Sequence, residues 1–350
     1  MKIVKKKRSL MLPKTAHLEH VKIKRYSDYT MKGSKGVITL KKSCYRVVDG
    51  YSITGEAPKS FIKVYDNTRG VACRKNKIKT WTLYIAKTGS KWYPVESITE
   101  HLIARIGTTL GLNMAYSQLV SAGGQIRFLS KYFLTPEQEL VHASSIMAAY
   151  LGDRDFILHI EEQKLEKEFF TLEETISALK TCFPDDQELI LEKFFLMLFF
   201  DAWVGVQDRH FYNWGVIRHI NNKHRPYFSP IYDSARGLFW NDLDRKIDEW
   251  KRYKQFEQQI EVRSKKSVPQ FCLSNQSPIN HFDLVKFIWE KDLVKNPTFF
   301  RTTFSFESLN AVEKMILSEF STLLSKSRLE LILGCLKQRH EKLYAIMTHS

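Results

Sequence analysis

The chain has 350 residues, 43% of them apolar and 26% charged, with a formal net charge of +16. That composition supports a sizeable core and excludes a globally disordered chain, and the length suits one large two-lobed domain or two ordinary ones. Five cysteines (Cys44, Cys73, Cys182, Cys272 and Cys335) are widely spaced with no C-x-x-C pair, which argues against a disulfide framework or a zinc site and predicts a reducing, cytoplasmic setting.

The charge is concentrated at the start: residues 1–50 hold 14 Lys and Arg against 3 Asp and Glu. The opening MKIVKKKRSLMLPK lacks the apolar core of a secretory signal, and the longest apolar run, Phe194 to Phe200, is far too short to span a bilayer, so no transmembrane segment is expected. Residues 1–15 read as a solvated tail, or as a patch for nucleic acid or an acidic partner. Residues 16–50 mix Lys with Tyr, Val and Ile and predict short strands or a small basic subdomain, so residues 1–55 are set apart as a basic N-terminal segment.

Residues 59–89 predict two strands. KSFIKVYD alternates apolar and polar positions, and TWTLYIAK, rich in β-branched and aromatic residues, ends on Lys87. TRGVACRKNK between them is a turn-like insertion whose Gly70 is the candidate for a loop over phosphates. No G-x-G-x-x-G or G-x-x-x-x-G-K-[ST] occurs, which excludes a Walker-type loop. In residues 96–112, Ile98, Leu102, Ile106 and Leu110 recur every four residues with Ile103 on the same side, giving an amphipathic helix that Gly111 ends. Glu96 and Glu100 lie one turn apart on a neighbouring face, and either could reach back to Lys87. AYSQLVSA, a Gly123–Gly124 turn and QIRFLSKYFL predict a hairpin leading into a linker, where Lys131 to Phe133 would contact adenine mainly through the backbone. Residues 56–135 thus form a small β-rich lobe.

From Pro136 the chain is expected to turn helical, with residues 136–350 forming a larger lobe. Thr171 followed by Glu173 and Glu174 marks the start of a helix over 171–182. Residues 189–206 are apolar nearly all round and predict a buried central helix that delivers the chain into the polar loop DRHFYN. There Asp208 and Asn213 are five residues apart. That is the spacing of a protein-kinase catalytic loop, in which the Asp accepts the substrate hydroxyl proton and the Asn holds magnesium. Asp233 follows the apolar run Tyr227, Phe228, Ile231, Tyr232, at a strand end, where a kinase places its main metal carboxylate. His210 is read as ordering the loop, and Arg209 and Arg236 as phosphate binders or carboxylate partners. Trp203, Tyr212, Trp214 and Trp240 are read as core, and residues 205–237 as the catalytic segment. The polar residues 241–280 predict an activation-loop-like or inserted segment, followed by helices.

Taken together, these pieces resemble the HipA-like kinase family, bacterial serine/threonine kinases with a protein-kinase-like fold, best known from toxin–antitoxin pairs. The similar stretches are YIAK at Lys87, ESITEHLIARIGTTLGL, RFLSKYFL, DRHFYN and PIYDSARG, and Asp-x-His-x-x-Asn is the most specific of them. The resemblance implies an α+β, two-lobed protein-kinase-like fold with ATP and magnesium (Mg2+) as cofactors. Asp208 would be the catalytic base, Asn213 and Asp233 the magnesium ligands, and Lys87 the contact to the α/β-phosphates. Glu100 is the better match for the partner of Lys87. The implied reaction is transfer of the γ-phosphate to a Ser or Thr of a protein substrate, with an antitoxin-like partner. The phosphate loop and the basic N-terminus depart from the family's pattern. Two rivals keep part of this reading: a phosphoinositide-type lipid kinase, which also carries D-R-H-x-x-N, and a kinase-like scaffold that binds nucleic acid through its basic N-terminus, with steep salt dependence.

Overall fold

Period-two alternation in the first third of the chain builds one sheet. The structure, a computed structural model, describes residues 17–29, 37–48, 57–66, 73–163, 165, 169–274 and 278–348. In chain order come β1 (Ile38–Thr39), β2 (Tyr45–Val47), β3 (Lys59–Val64), β4 (Thr82–Lys87), helix α1 (Val95–Thr109), β5 (Ser117–Ala122) and β6 (Gln125–Lys131). Among the described residues these strands form a six-stranded sheet in the order β1-β5-β6-β4-β3-β2. The stretch read as a separate basic subdomain therefore supplies two strands of the same sheet, β2 pairing with β3 and β1 with β5.

Alternation gives the sheet two different faces. Ile62 and Val64 of β3, Tyr84 and Ala86 of β4, and Leu129 of β6 form a small cluster on one of them. On the other, Leu119, Ile126 and Phe128 join Ile98, Leu102, Ile103 and Ile106 of α1 in the main core, which continues into the larger lobe. Lys59 and Lys87 lie directly opposite each other in the antiparallel β3–β4 ladder, on the side away from the small cluster.

The larger lobe opens on a strand, not a helix: β7 (Gln138–His142) precedes α2 (Ala143–Leu151), α3 (Arg154–Gln163), α4 (Leu172–Cys182) and α5 (Gln187–Val204), then β8 (Gly215–His219) and β9 (Tyr227–Phe228). β7 pairs antiparallel with β8, and β8 with β9. The pairing needs a glycine, since a Cβ on Gly215 would lie 2.3 Å from the Val141 carbonyl oxygen. α4 begins at a Thr171 capping box closed by Glu174, and α5 buries nearly every side chain from Ile190 to Val204. The polar region 241–280 is not one irregular insertion. It folds into α6 (Asp244–Arg252) and α7 (Phe256–Lys266), because Ile247 with Trp250 and, further on, Ile260 supply enough apolar spacing to dock each helix. Helices α8 (His281–Glu290), α9 (Pro297–Thr303), α10 (Phe306–Phe320) and α11 (Lys326–Thr348) complete the lobe. Among the described residues no helix is long and apolar enough to cross a membrane.

Candidate active site

The site grows from the last turn of α5. The helix ends at Gly205, whose φ of +69° is left-handed and whose N–H donates to the Asp201 carbonyl oxygen at 2.7 Å. That turn places the Asp201 side chain, 1% exposed, under the following loop. Arg209 grips it through two bonds, Nε to Oδ2 and Nη2 to Oδ1, both 2.8 Å. Its other donors reach the carbonyl oxygens of Asn213 (3.2 Å) and Tyr232 (2.6 Å) and the Ser234 hydroxyl (2.7 Å). Burial works against both charges: it pushes the Asp201 carboxyl up against the pull of Arg209, while for Arg209 the nearby Asp201 outweighs burial and raises the pKa. Arg209 is thus a carboxylate partner. It ties the loop to both neighbours of Asp233.

Within the loop, Asn213 is 5% exposed, and its Nδ2 donates to the Asp208 carbonyl oxygen at 2.6 Å. With that nitrogen engaged, the amide's remaining polar atom is an oxygen. His210 accepts the Tyr212 N–H at 3.3 Å on Nδ1, ordering the turn. Arg236 places Nε 3.3 Å from Asp208 Oδ2 and its guanidinium 5.6 Å from the Trp240 ring centroid. It sits on the Asp208 carboxylate, the second of the two roles open to it. Trp203 and Trp214 are core, 0% and 1% exposed, while Tyr212 is 38% exposed.

Asp233 sits at φ +54°, a left-handed conformation that few residues other than glycine adopt and that recurs at functional sites. Its Oδ1 accepts from Lys87 Nζ at 2.8 Å and its Oδ2 from Lys59 Nζ at 3.3 Å. Lys87 also donates to Glu100 Oε1 at 2.6 Å. Burial alone would lower the Lys87 pKa, but Asp233 and Glu100 outweigh it and raise it. Burial would likewise raise Asp233, yet Lys87 and Lys59 hold its carboxyl well below the usual range. Glu100, fully buried and sharing its lysine with Asp233, is pushed up to about 7 by burial, against the pull of Lys87. Glu96, the rival partner, instead accepts the Lys91 N–H at 3.4 Å beside the start of α1.

The remaining candidates are placed differently. Gly70 lies outside the described residues. The strand ends that flank its connection, Val64 and Thr82, pair with each other at the opposite end of the β3–β4 ladder from the Lys59–Lys87 pair. The Lys131 N–H donates to the Tyr116 carbonyl oxygen (2.8 Å) and that of Tyr132 to Leu83 (2.9 Å), so both are committed to the small lobe. The Phe133 ring packs against Tyr232 at 5.6 Å between centroids. Lys59 is the residue sequence reasoning missed. Its signal is register: a lysine at the start of KSFIKVYD and one at the end of TLYIAK meet only if the two strands form a hairpin ladder of equal length.

Lys59, Lys87, Glu100 and Asp233 thus meet where the two lobes join, and Arg209 ties the Asp208–Asn213 loop to that point. Two ammonium groups can hold phosphate oxygens, a carboxylate and an amide oxygen can hold a hard cation, and Asp208 can take a proton. Among the described residues no cluster of three or more His, Cys, Asp or Glu could hold a metal. A site of one carboxylate and one amide oxygen fits magnesium, which keeps waters and takes its other oxygens from nucleotide phosphates.

The sequence model of the HipA-like C-terminal domain matches residues 51–277. No curated protein matches the chain. In fold it is similar to the Helicobacter pylori proinflammatory kinase CtkA, over 83% of this chain and 93% of that one, at 18% identity and a TM-score of 0.64. A HipA from the Shewanella oneidensis MR-1 toxin–antitoxin system, solved with HipB and its operator DNA, aligns over 85% of this chain and 65% of that one, at 11% identity and a TM-score of 0.48. The likeness to CtkA shows a two-lobed, kinase-like α+β fold, with a small β-rich lobe and a larger, mainly helical one. With well over half of its length matched by that domain model, the chain belongs to the HipA-like C-terminal domain family.

Proposed function

We propose that the protein is an ATP- and magnesium-dependent protein kinase that transfers the γ-phosphate of ATP to a serine or threonine hydroxyl. The observation that carries this is Lys87 Nζ, 2.6 Å from Glu100 and 2.8 Å from Asp233, with Asp233 tied through Arg209 to the loop of Asp208 and Asn213. Phosphoryl transfer is mostly positioning and electrostatics, because the moving group carries spread-out negative charge. Lys87, oriented by Glu100, binds the α/β-phosphates. The Asp233 carboxylate and the Asn213 amide oxygen hold magnesium, which, when bound, bridges the phosphates and neutralises charge developing on the leaving group. Asp208 Oδ2, steadied by Arg236, orients the acceptor hydroxyl and takes its proton. His210 keeps the loop turn in shape, and Phe133 with Tyr232 forms an apolar surface beside the linker.

The test is phosphate transfer from γ-labelled ATP to the protein itself and to a cell lysate, for the wild type, Asp208→Ala and Asp233→Ala. Label on protein is expected with the wild type, falling at least about a hundredfold in each variant, as loss of a general base or a metal ligand predicts. Label that appears only on lipid vesicles, or that survives both substitutions, would refute the reading.

A further inference from the structure

Both oxygens of Asp233 are occupied by ammonium groups: Lys87 on Oδ1 and Lys59 on Oδ2. We propose that Lys59 stands in for the metal at Asp233 and moves from that carboxylate to the nucleotide phosphates when metal and nucleotide enter together. The inference rests on the phosphotransfer reading and adds a coupling to it: the metal site is closed until nucleotide arrives.

The argument begins with charge. Lys59 and Lys87 face each other across one rung of the β3–β4 ladder, and their side chains are only 11% and 9% exposed. Two poorly solvated like charges on the same rung need anions, and Asp233 serves both. A divalent cation arriving alone would meet these two ammonium groups at the single carboxylate they share. Its entry would displace at least one of them with no new anion to receive it. A cation arriving with a nucleotide brings several phosphate charges, and a displaced ammonium then finds an acceptor.

Geometry selects Lys59 as the group that moves. Lys87 is anchored a second time, by Glu100 at 2.6 Å, and keeps that partner when Asp233 turns to the metal. The Lys59 contact is the longer of the two on Asp233, 3.3 Å against 2.8 Å. A lysine suits the task, because its ammonium is a compact charge with three donors on a flexible four-carbon stem. Lys59 also begins its strand, so its backbone lies at the end of the ladder nearest the site.

The experiment uses the full chain with manganese as the metal probe. Bound Mn2+ is counted by electron paramagnetic resonance without nucleotide, and a fluorescent ATP analogue is titrated in parallel. Wild type is expected to bind Mn2+ weakly alone and firmly with the analogue. In Lys59→Met, Mn2+ binding without nucleotide should tighten and analogue binding should weaken, each by roughly tenfold, the size of one charge-assisted contact. Lys59→Arg, which retains the charge, should keep the metal site closed, and Lys59→Gln replaces the Met variant if that one does not fold. A merely structural role would weaken both ligands together. The proposal fails if the neutral variants bind Mn2+ no better than wild type, or lose the analogue with Mn2+ unchanged. If the wild type binds neither ligand, the phosphotransfer reading fails as well. If it binds both and the variants match it, only the role of Lys59 fails.

Discussion

Arg209 spends all five of its N–H donors on four groups: Asp201, Asn213, Tyr232 and Ser234. Removing it leaves the Asp201 carboxylate buried and unpaired and frees the carbonyl oxygens on either side of the site. Arg209→Met is expected to cost about 3–5 kcal/mol in urea unfolding. Arg209→Lys should recover little of this, since an ammonium cannot reproduce the bidentate fork. Asp201→Asn, which keeps an oxygen acceptor, should cost less than either. A second residue-scale prediction concerns pH. The Glu100 carboxyl stands at about 7 in the folded protein against an ordinary 4.5, because it is buried and shares Lys87 with Asp233. The folded protein therefore holds a proton between those values that the unfolded chain has released. Its contribution to stability is complete below the unfolded value and is lost as pH rises through about 7. Glu100→Gln cannot titrate, so its unfolding free energy should fall less than that of wild type across this window, by on the order of 1–3 kcal/mol. Parallel slopes for the two proteins would show that Glu100 ionises normally in the fold.

At the scale of elements, what could be read in the sequence was whatever local pattern decides. The four-residue recurrence of Ile98, Leu102 and Ile106 gave α1, and the Thr171 and Glu174 pair gave the start of α4. The unbroken apolar stretch gave α5 as a central buried helix. Lys87, Glu100, Asp208, Asn213 and Asp233 could be named for a related reason. Each lies at the end of such an element or at fixed spacing in a loop, so local pattern nearly fixes its place. Other features depend on partners far away in sequence. β7 has five residues and reads as strand only because Gly215 lets β8 close against it. The N–H groups of Lys131 and Tyr132 are used up by Tyr116 and Leu83, which no local pattern of the linker reveals. Lys59 looked like any solvent-facing strand lysine until register set it against Lys87. α6 was hidden by its charged faces and by Leu243 at its N-cap, a residue that caps nothing with its side chain.

At the scale of the whole molecule, that missing cap is supplied from 216 residues away, and it ties the two lobes together. Residues 17–29 run along the small lobe. Val21 exchanges two hydrogen bonds with the Gln125 side chain, Lys24 donates from its backbone to the Ser90 carbonyl oxygen, and Ser27 donates to that of Tyr93, just before α1. The segment then reaches the large lobe, where the Asp28 carboxylate accepts the N–H groups of Asp244 (2.8 Å) and Arg245 (3.2 Å) at the first turn of α6. A bidentate Arg105–Glu319 pair between α1 and α10 makes a second tie, with N–O distances of 2.7 and 2.8 Å. Both ties act on α1, the helix that carries Glu100, so the lobe junction and the Lys87 contact are linked mechanically. Asp28→Ala should lose about 1 kcal/mol of stability, the worth of a helix N-cap. Stability alone would not separate the cap from the tether, but a second substitution does. Leu243→Asp in the Asp28→Ala background returns a capping carboxylate within the large lobe and should recover most of the lost stability. It cannot restore the connection, so backbone amides of residues 24–29 and of the first turn of α1 should still exchange hydrogen faster than in wild type. Exchange that returned to the wild-type rate together with stability would mean that Asp28 only caps α6 and that the lobes are held without it.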